Sequence, residues 1–387
     1  MCEPDQKTVP VRDAVGLVLS HDITEVNVPR HFKGSSFRRG HVITEADIPK
    51  LLDLGKENIY VLEMSEEQMH EDDAVIALAQ ALAGENAHFL PEPREGRINI
   101  IAGRTGLLKV DTAALERFNS VGEVMCATRH TNTVVQAGDI VAGTRAIPLV
   151  VERESVEKAA AVAREAGSVI SVLPLKAARV ALVITGNEVY TGRIDDAFEP
   201  IIRAKAEALG CEVTSVTKCP DNILAIKQAL NQARGGADPD YAQDQPQAGA
   251  DQDQPQAGAD PDQPQAGADS NQKQTADLII MTGGMSVDPD DLTPLAARET
   301  GAEISAYGSA VLPGAMFMVG YFPEGTPVLG VPACGLHHPS TIFDLILPRV
   351  LAGEKITGAD IARLGHGGLC LDCPECNFPV CPFGKSA

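Results

Sequence analysis

Two unbroken apolar runs, ARVALVITG at 178–186 and DLIIMTGG at 277–284, constrain this chain more than any other feature. A strand with one wet face alternates apolar and polar residues, whereas a run without a polar break suits a strand covered on both faces. Between the runs, residues 196–209 place Phe198, Ile201, Ile202 and Leu209 on one helical face and meet a stop at Gly210. CEVTSVTK (211–218) then reads as a strand, and DNILAIKQALNQA (221–233) as a helix opened by Asp221. Strand alternating with helix at this spacing predicts an α/β fold with a doubly wound, mostly parallel sheet.

The second helix and the second apolar run are separated by three copies of DQPQAGAD, beginning at Asp244, Asp253 and Asp262. The unit holds no large apolar side chain, so it cannot offset the entropy of being ordered, and a stacked solenoid has nothing to bury. The tract reads as a disordered insertion, 235–275, in a surface αβ loop, where added length costs little.

Apolar residues make up 44% of the 387, enough for sizeable cores. The formal charge of −21 argues against nucleic acid and anionic membranes as partners. No stretch reaches the roughly 18 apolar residues of a membrane span, and the first residues lack a secretory pattern, so a cytoplasmic protein is expected. Residues 1–64 read as a small β-rich module, with a helix at 47–56 that Asp47 can cap and Gly55 can end. The basic island FKGSSFRRGH (32–41) within it is a solvated loop or an anion site. Residues 65–177 read as a mixed α+β region: a helix over 65–82, strand-like runs such as RINIIAG (97–103) and GLLKV (106–110), and a helix over 154–166. The α/β domain then spans 178–353, followed by a C-terminal helix and tail, 354–387.

Ligands of open parallel sheets bind where strands end, so the loops that leave the apolar runs are the candidates. The first holds Thr185, Gly186, Asn187 and Glu188; the second holds Thr282, Gly283, Gly284, Ser286, Asp288, Asp290 and Asp291. Backbone N–H groups of a Gly-rich turn can cradle an anionic oxygen, and neighbouring acids can hold Mg²⁺ between phosphates. Two further turns are Pro313-Gly314 and the one at Pro332, which precedes a helix expected over 338–350.

In order and context these loops resemble the molybdopterin-binding domain shared by the adenylyltransferase and molybdotransferase branches of molybdenum-cofactor biosynthesis and by the competence-damage-inducible family. The likeness covers about 179–353 apart from the repeat. It implies that Thr185, Gly186, Asn187, Thr282, Gly283, Gly284, Ser286, Pro313, Gly314 and Pro332 bind molybdopterin or its adenylylated form. Glu188, Asp288 and Asp291 are implied in catalysis, and Asp290 and Asp291 in holding Mg²⁺. The sequence departs from the pattern at 287–291, at Ala315 where a lysine is usual, and at 331–334, where Val-Pro-Ala-Cys replaces Pro-Gly-Asn-Pro. More loosely, the leading half is similar in style to the β-domains of the molybdotransferase.

Four of the nine cysteines, Cys370, Cys373, Cys376 and Cys381, crowd into the last 18 residues. Their C-x2-C-x2-C-x4-C spacing points to Zn²⁺ or an iron–sulfur cluster, with free thiols as the alternative. The resemblance implies insertion of molybdate into adenylylated molybdopterin with release of AMP. The altered motifs suit a non-catalytic carrier or sensor instead, and Gly186-Asn187-Glu188 leaves a nucleotide-pyrophosphate hydrolase as a third reading. Molybdopterin and molybdate are the implied partners, with a homo-oligomer and molybdoenzyme or cofactor-pathway proteins as further candidates.

Overall fold

The structure is a computed structural model, and it describes residues 7–27, 32–61, 64–94, 96–235, 275–285 and 291–385. The repeat tract, 236–274, lies outside the described residues, as do Ser286, Asp288 and Asp290. Two compact units divide the chain, Met1–Pro174 and Leu175–Ala387. Among the described residues no helix is long and apolar enough to cross a membrane.

The first unit is built from antiparallel strands. Lys7–Pro10 pairs with Asn58–Val61 and Ile23–Asn27 with Phe32–Phe37, around a small core of Val11, Leu19, Ile43, Leu51 and Ile59. The helix foreseen at 47–56 is Ile48–Asp53, and Asp47 does not cap it. Its carboxylate instead accepts from Thr44 N–H and from the His41 ring, at 2.9 Å each, which lowers its pKa to about 2. Beyond this lie a four-stranded sheet, ordered Ala87–Phe89, Arg97–Ala102, Ile140–Ala146 and Val124–Thr128, and a three-stranded one through Gly106–Val110. The helix expected over 65–82 begins only at Glu71, because Gln68–His70 is drawn into a strand pair with Val150–Glu152.

In the second unit the strand order is Glu212–Cys219, Arg179–Thr185, Leu278–Thr282, Pro327–Val331, Met318–Tyr321, Glu303–Tyr307. Successive side chains of the two apolar runs point to opposite faces, and both faces are covered. Val180, Leu182, Leu278 and Ile280 pack on Ile202, Phe343 and Ile346; Ala181, Val183, Ile279 and Met281 pack on Ile226, Leu230 and Ala297. Full burial of a side chain such as Ile280 contributes about 1.5–3 kcal/mol. At the strand starts, Asp277 accepts from Arg179 Nε and Lys176 Nζ at 2.9 Å each, which holds its carboxyl far below the usual range.

A doubly wound, mostly parallel sheet is not what forms. Three pairings in this sheet are parallel, but Met318–Tyr321 runs antiparallel to both its neighbours, and the remaining sheets of the molecule are antiparallel. The cause is loop length. Tyr321 and Pro327 are joined by a turn closed by Phe322 N–H on Thr326 O at 2.9 Å, and a parallel return needs a crossover of about a dozen residues. The fold is α/β with mixed and antiparallel sheets.

The described residues on either side of 236–274 meet one another. Ala276 N–H donates to Ala233 O at 3.0 Å, and a side chain on Gly235 would press on Thr275 Oγ1.

Candidate functional site

The three central parallel strands end level with one another, since Ile184 pairs with Thr282 and Thr282 with Val331. Each then hands over to a residue that turns the chain: Gly186 at φ +142°, Gly283 at φ +83° and Pro332. A Cβ on Gly283 would collide with the carbonyl oxygen of Thr185, so two sequence-distant turns touch through main chain alone. Beneath them Thr185 and Thr293 are buried. The Thr293 hydroxyl donates to Gly283 O at 2.9 Å, which leaves Thr185 as donor in the 3.1 Å contact between the two hydroxyls. Thr282 is 1% exposed, and among the described residues its hydroxyl has no hydrogen-bond partner.

The Pro313-Gly314 turn closes another side. Gly314 sits at φ +128°, where a Cβ would strike Ile342 at the start of the helix Ile342–Leu351, so the turn seats directly on that helix. This helix starts four residues later than expected because Thr341 and Asp344 form a capping box.

These turns enclose a cavity of about 670 Å³. Of the residues singled out from sequence, Gly283, Gly284, Asp291, Pro313, Gly314, Pro332 and Cys370 line it. Thr185 and Thr282 lie buried at the strand ends. Asn187 and Glu188 are not in the lining. They sit on an exposed helical turn, Asn187–Tyr190, where Asn187 exchanges hydrogen bonds with Asp221 at 2.9 and 3.2 Å. Met285 and Cys334, which lie within loops read from the sequence, also line the cavity, as do Met316, Phe198, His338 and Asp372, which no sequence signal marked as site residues. The Tyr307 hydroxyl donates to Met285 O at 3.2 Å; burial, and then the charge of Asp291, pushes its pKa up. Burial likewise raises the Cys334 thiol, so it is held protonated. A larger cavity of about 770 Å³ lies at the opposite strand ends, but its Lys176, Arg179, Asp277 and Glu324 are already paired.

The C-terminal segment folds back onto this site. Leu312 N–H donates to Gly368 O and Cys370 N–H to Leu312 O, both at 2.8 Å, while buried Phe383 packs edge-on against Phe378.

Among the described residues, no three His, Cys, Asp or Glu side chains gather as a metal site. That overturns the expectation of Zn²⁺ or an iron–sulfur cluster at Cys370, Cys373, Cys376 and Cys381. All four are free thiols: Cys370 and Cys381 pack against the apolar core, and Cys373 and Cys376 are exposed. The tail is held by buried Phe383 and by the main-chain bridge between Leu312 and the Gly368–Cys370 stretch. The same finding goes against the expected Mg²⁺: among the described residues no ligand group gathers at Asp291, and Asp290 lies outside them.

Residues 181–240 and 249–352 match the family model described as "Probable molybdopterin binding domain", and 8–63 match a domain of unknown function (DUF8806). No curated protein matches the chain. Among solved structures it is similar to the molybdopterin biosynthesis enzyme MoaB of Thermus thermophilus, at 19% identity over 46% of this chain and 98% of that one, with a TM-score of 0.30. A putative molybdenum cofactor biosynthesis protein of Corynebacterium diphtheriae gives 14%, 46%, 98% and 0.30. The molybdopterin biosynthesis MoeA protein of Pyrococcus horikoshii gives 14%, 91%, 76% and 0.28. The molybdopterin-binding match lies within the second unit. Within that unit, residues 181–240 and 249–352 are thus similar to a molybdopterin-binding domain, and the match singles out neither an adenylyltransferase nor a molybdotransferase branch.

Proposed function

We propose that the second unit binds molybdopterin, or its adenylylated form, in the cavity at the strand ends, and that the protein serves molybdenum-cofactor biosynthesis by inserting molybdate with release of AMP. The observation that carries this reading is the coincidence of the matched domain with that cavity: Gly283, Gly284, Asp291, Pro313, Gly314 and Pro332 all lie in both.

The lining suits such a ligand. Met285, Met316, Leu312 and Phe198 offer apolar faces to a flat ring, and the main chain of the Gly283-Gly284 turn offers a place for a phosphate. The Thr282 hydroxyl, buried at the same strand end and without a partner among the described residues, would gain one from a ligand oxygen. Metal insertion into a dithiolene asks chiefly that phosphate, sulfurs and molybdate be held in mutual reach.

Ala315, where the family pattern has lysine, and Cys334, where it has proline after asparagine, favour a second reading: a carrier that holds the pterin without turning it over. Incubation with adenylylated molybdopterin and molybdate, following AMP and protein-bound pterin, separates the two. Molybdate-dependent AMP release is the expected result. Pterin retention without AMP supports the carrier, and the absence of both retention and release overturns the two readings together.

A further inference from the structure

The matched domain ends at residue 352, yet the segment beyond it builds one wall of the cavity. The double hydrogen bond between Leu312 and the Gly368–Cys370 stretch ties that segment to the residue just before the Pro313-Gly314 turn. Phe383 pins its other end, and Gly384 N–H closes back on Gly367 O at 2.9 Å. The wall is therefore fixed at both ends, with Cys370 and Asp372 facing the cavity from it.

Asp372 adopts φ +50°, a left-handed conformation that Asp tolerates better than most residues. Its Oδ1 stands 3.5 Å from Nδ1 of His338, another cavity-lining residue, and among the described residues Oδ2 has no hydrogen-bond partner. A phosphate on this wall would meet the carboxylate's charge. A neutral flat ring presenting N–H donors would be attracted by it. An aminopyrimidinone edge carries a ring N–H beside an amino group, a donor pair that a carboxylate accepts through two parallel bonds.

We infer that Asp372 is the residue with which this protein recognises the aminopyrimidinone edge of its pterin, and that His338 is a positioning residue that steadies the carboxylate at the cavity wall. This deepens the pterin-binding reading and rests on it.

The test uses two fluorescent probes, pterin and lumazine, the second of which carries a carbonyl in place of the amino group. Each is titrated into the full chain and into Asp372→Asn and His338→Gln, with thermal stability measured alongside. The wild-type chain is expected to prefer pterin roughly tenfold, the value of one charge-assisted bond. Asp372→Asn brings the two probes within about twofold of each other at unchanged thermal stability, because the side chain is 77% exposed and its loss leaves the fold intact; His338→Gln falls between. An Asp372→Asn protein that keeps the preference overturns the inference, as does a wild-type chain that binds neither probe or both equally. Molybdopterin retention is scored separately. Retention with no role for Asp372 sinks this inference and spares the function, whereas an Asp372-dependent preference without retention does the reverse.

Discussion

Two loops leave neighbouring strands in register, Thr185-Gly186-Asn187-Glu188 and Thr282-Gly283-Gly284-Met285, and they have parted roles. In the second, the main chain presses on Thr185 and the loop lines the cavity. In the first, Asn187 is locked to Asp221 at the sheet's outer strand, and Glu188 is exposed to solvent. Neighbours decide the difference. Both strands have parallel neighbours on each side, but the outer neighbour of Leu278–Thr282 is Pro327–Val331, whose Pro332 turn lines the cavity beside it, whereas that of Arg179–Thr185 is Glu212–Cys219. The Thr185 loop lies one strand nearer the edge and spends its polar groups on the adjacent loop. Similar sequence at two strand ends thus yields one cavity wall and one brace.

The largest expected effect on this contrast comes from Gly283→Ala. Both the left-handed φ and the collision with the Thr185 carbonyl oppose a side chain, and a loss of about 3 kcal/mol or more is expected, seen as a fall in Tm of roughly 8 °C. Gly186→Ala meets only ordinary contacts, with its nearest neighbour at 3.7 Å, so φ +142° alone opposes it and the loss is smaller. Equal losses in the two variants would erase the claim that only one turn is a packing contact. Next is a pair of acids. Asp291→Ala is expected to weaken molybdopterin binding about tenfold or more, and Glu188→Ala to leave it within twofold, both read by equilibrium retention of the pterin. A loss on Glu188→Ala that matches Asp291→Ala would return the first loop to the site.

How far these assignments were legible beforehand depends on how local their causes are. The strands Arg179–Thr185 and Leu278–Thr282 could be read because burial on both faces leaves a run with no polar break. Glu303–Tyr307 and Met318–Tyr321 could not, the first because polar residues interrupt it and the second because it is only four residues long, and their antiparallel pairing turned a sheet expected to be mostly parallel into a mixed one. At the site, the glycine and proline turns announced themselves by residue type. The return of the tail did not, since it depends on Phe383 reaching the core and on Leu312 meeting Gly368, contacts made across long sequence separations. Cysteine spacing is a local pattern, and it suggested a metal that the tail's long-range packing does not assemble.

The smallest effect sharpens the comparison most. Thr185 and Thr282 are the last residues of their strands and both are buried, yet among the described residues one hydroxyl is bonded and the other is not. Thr185→Val removes a donor to Thr293 and is expected to cost about 1 kcal/mol. Thr282→Val removes a hydroxyl that is desolvated without return, so the free protein should be unchanged or more stable by up to about 1 kcal/mol. If that hydroxyl exists to meet a ligand oxygen, the same Thr282→Val protein should bind molybdopterin several-fold more weakly while melting no earlier, and Thr185→Val should melt earlier with affinity nearly kept. Denaturant melts and pterin titrations on both variants check this. A Thr282→Val protein that loses stability would mean its hydroxyl has a structural partner, and one that keeps full affinity would take Thr282 out of the site.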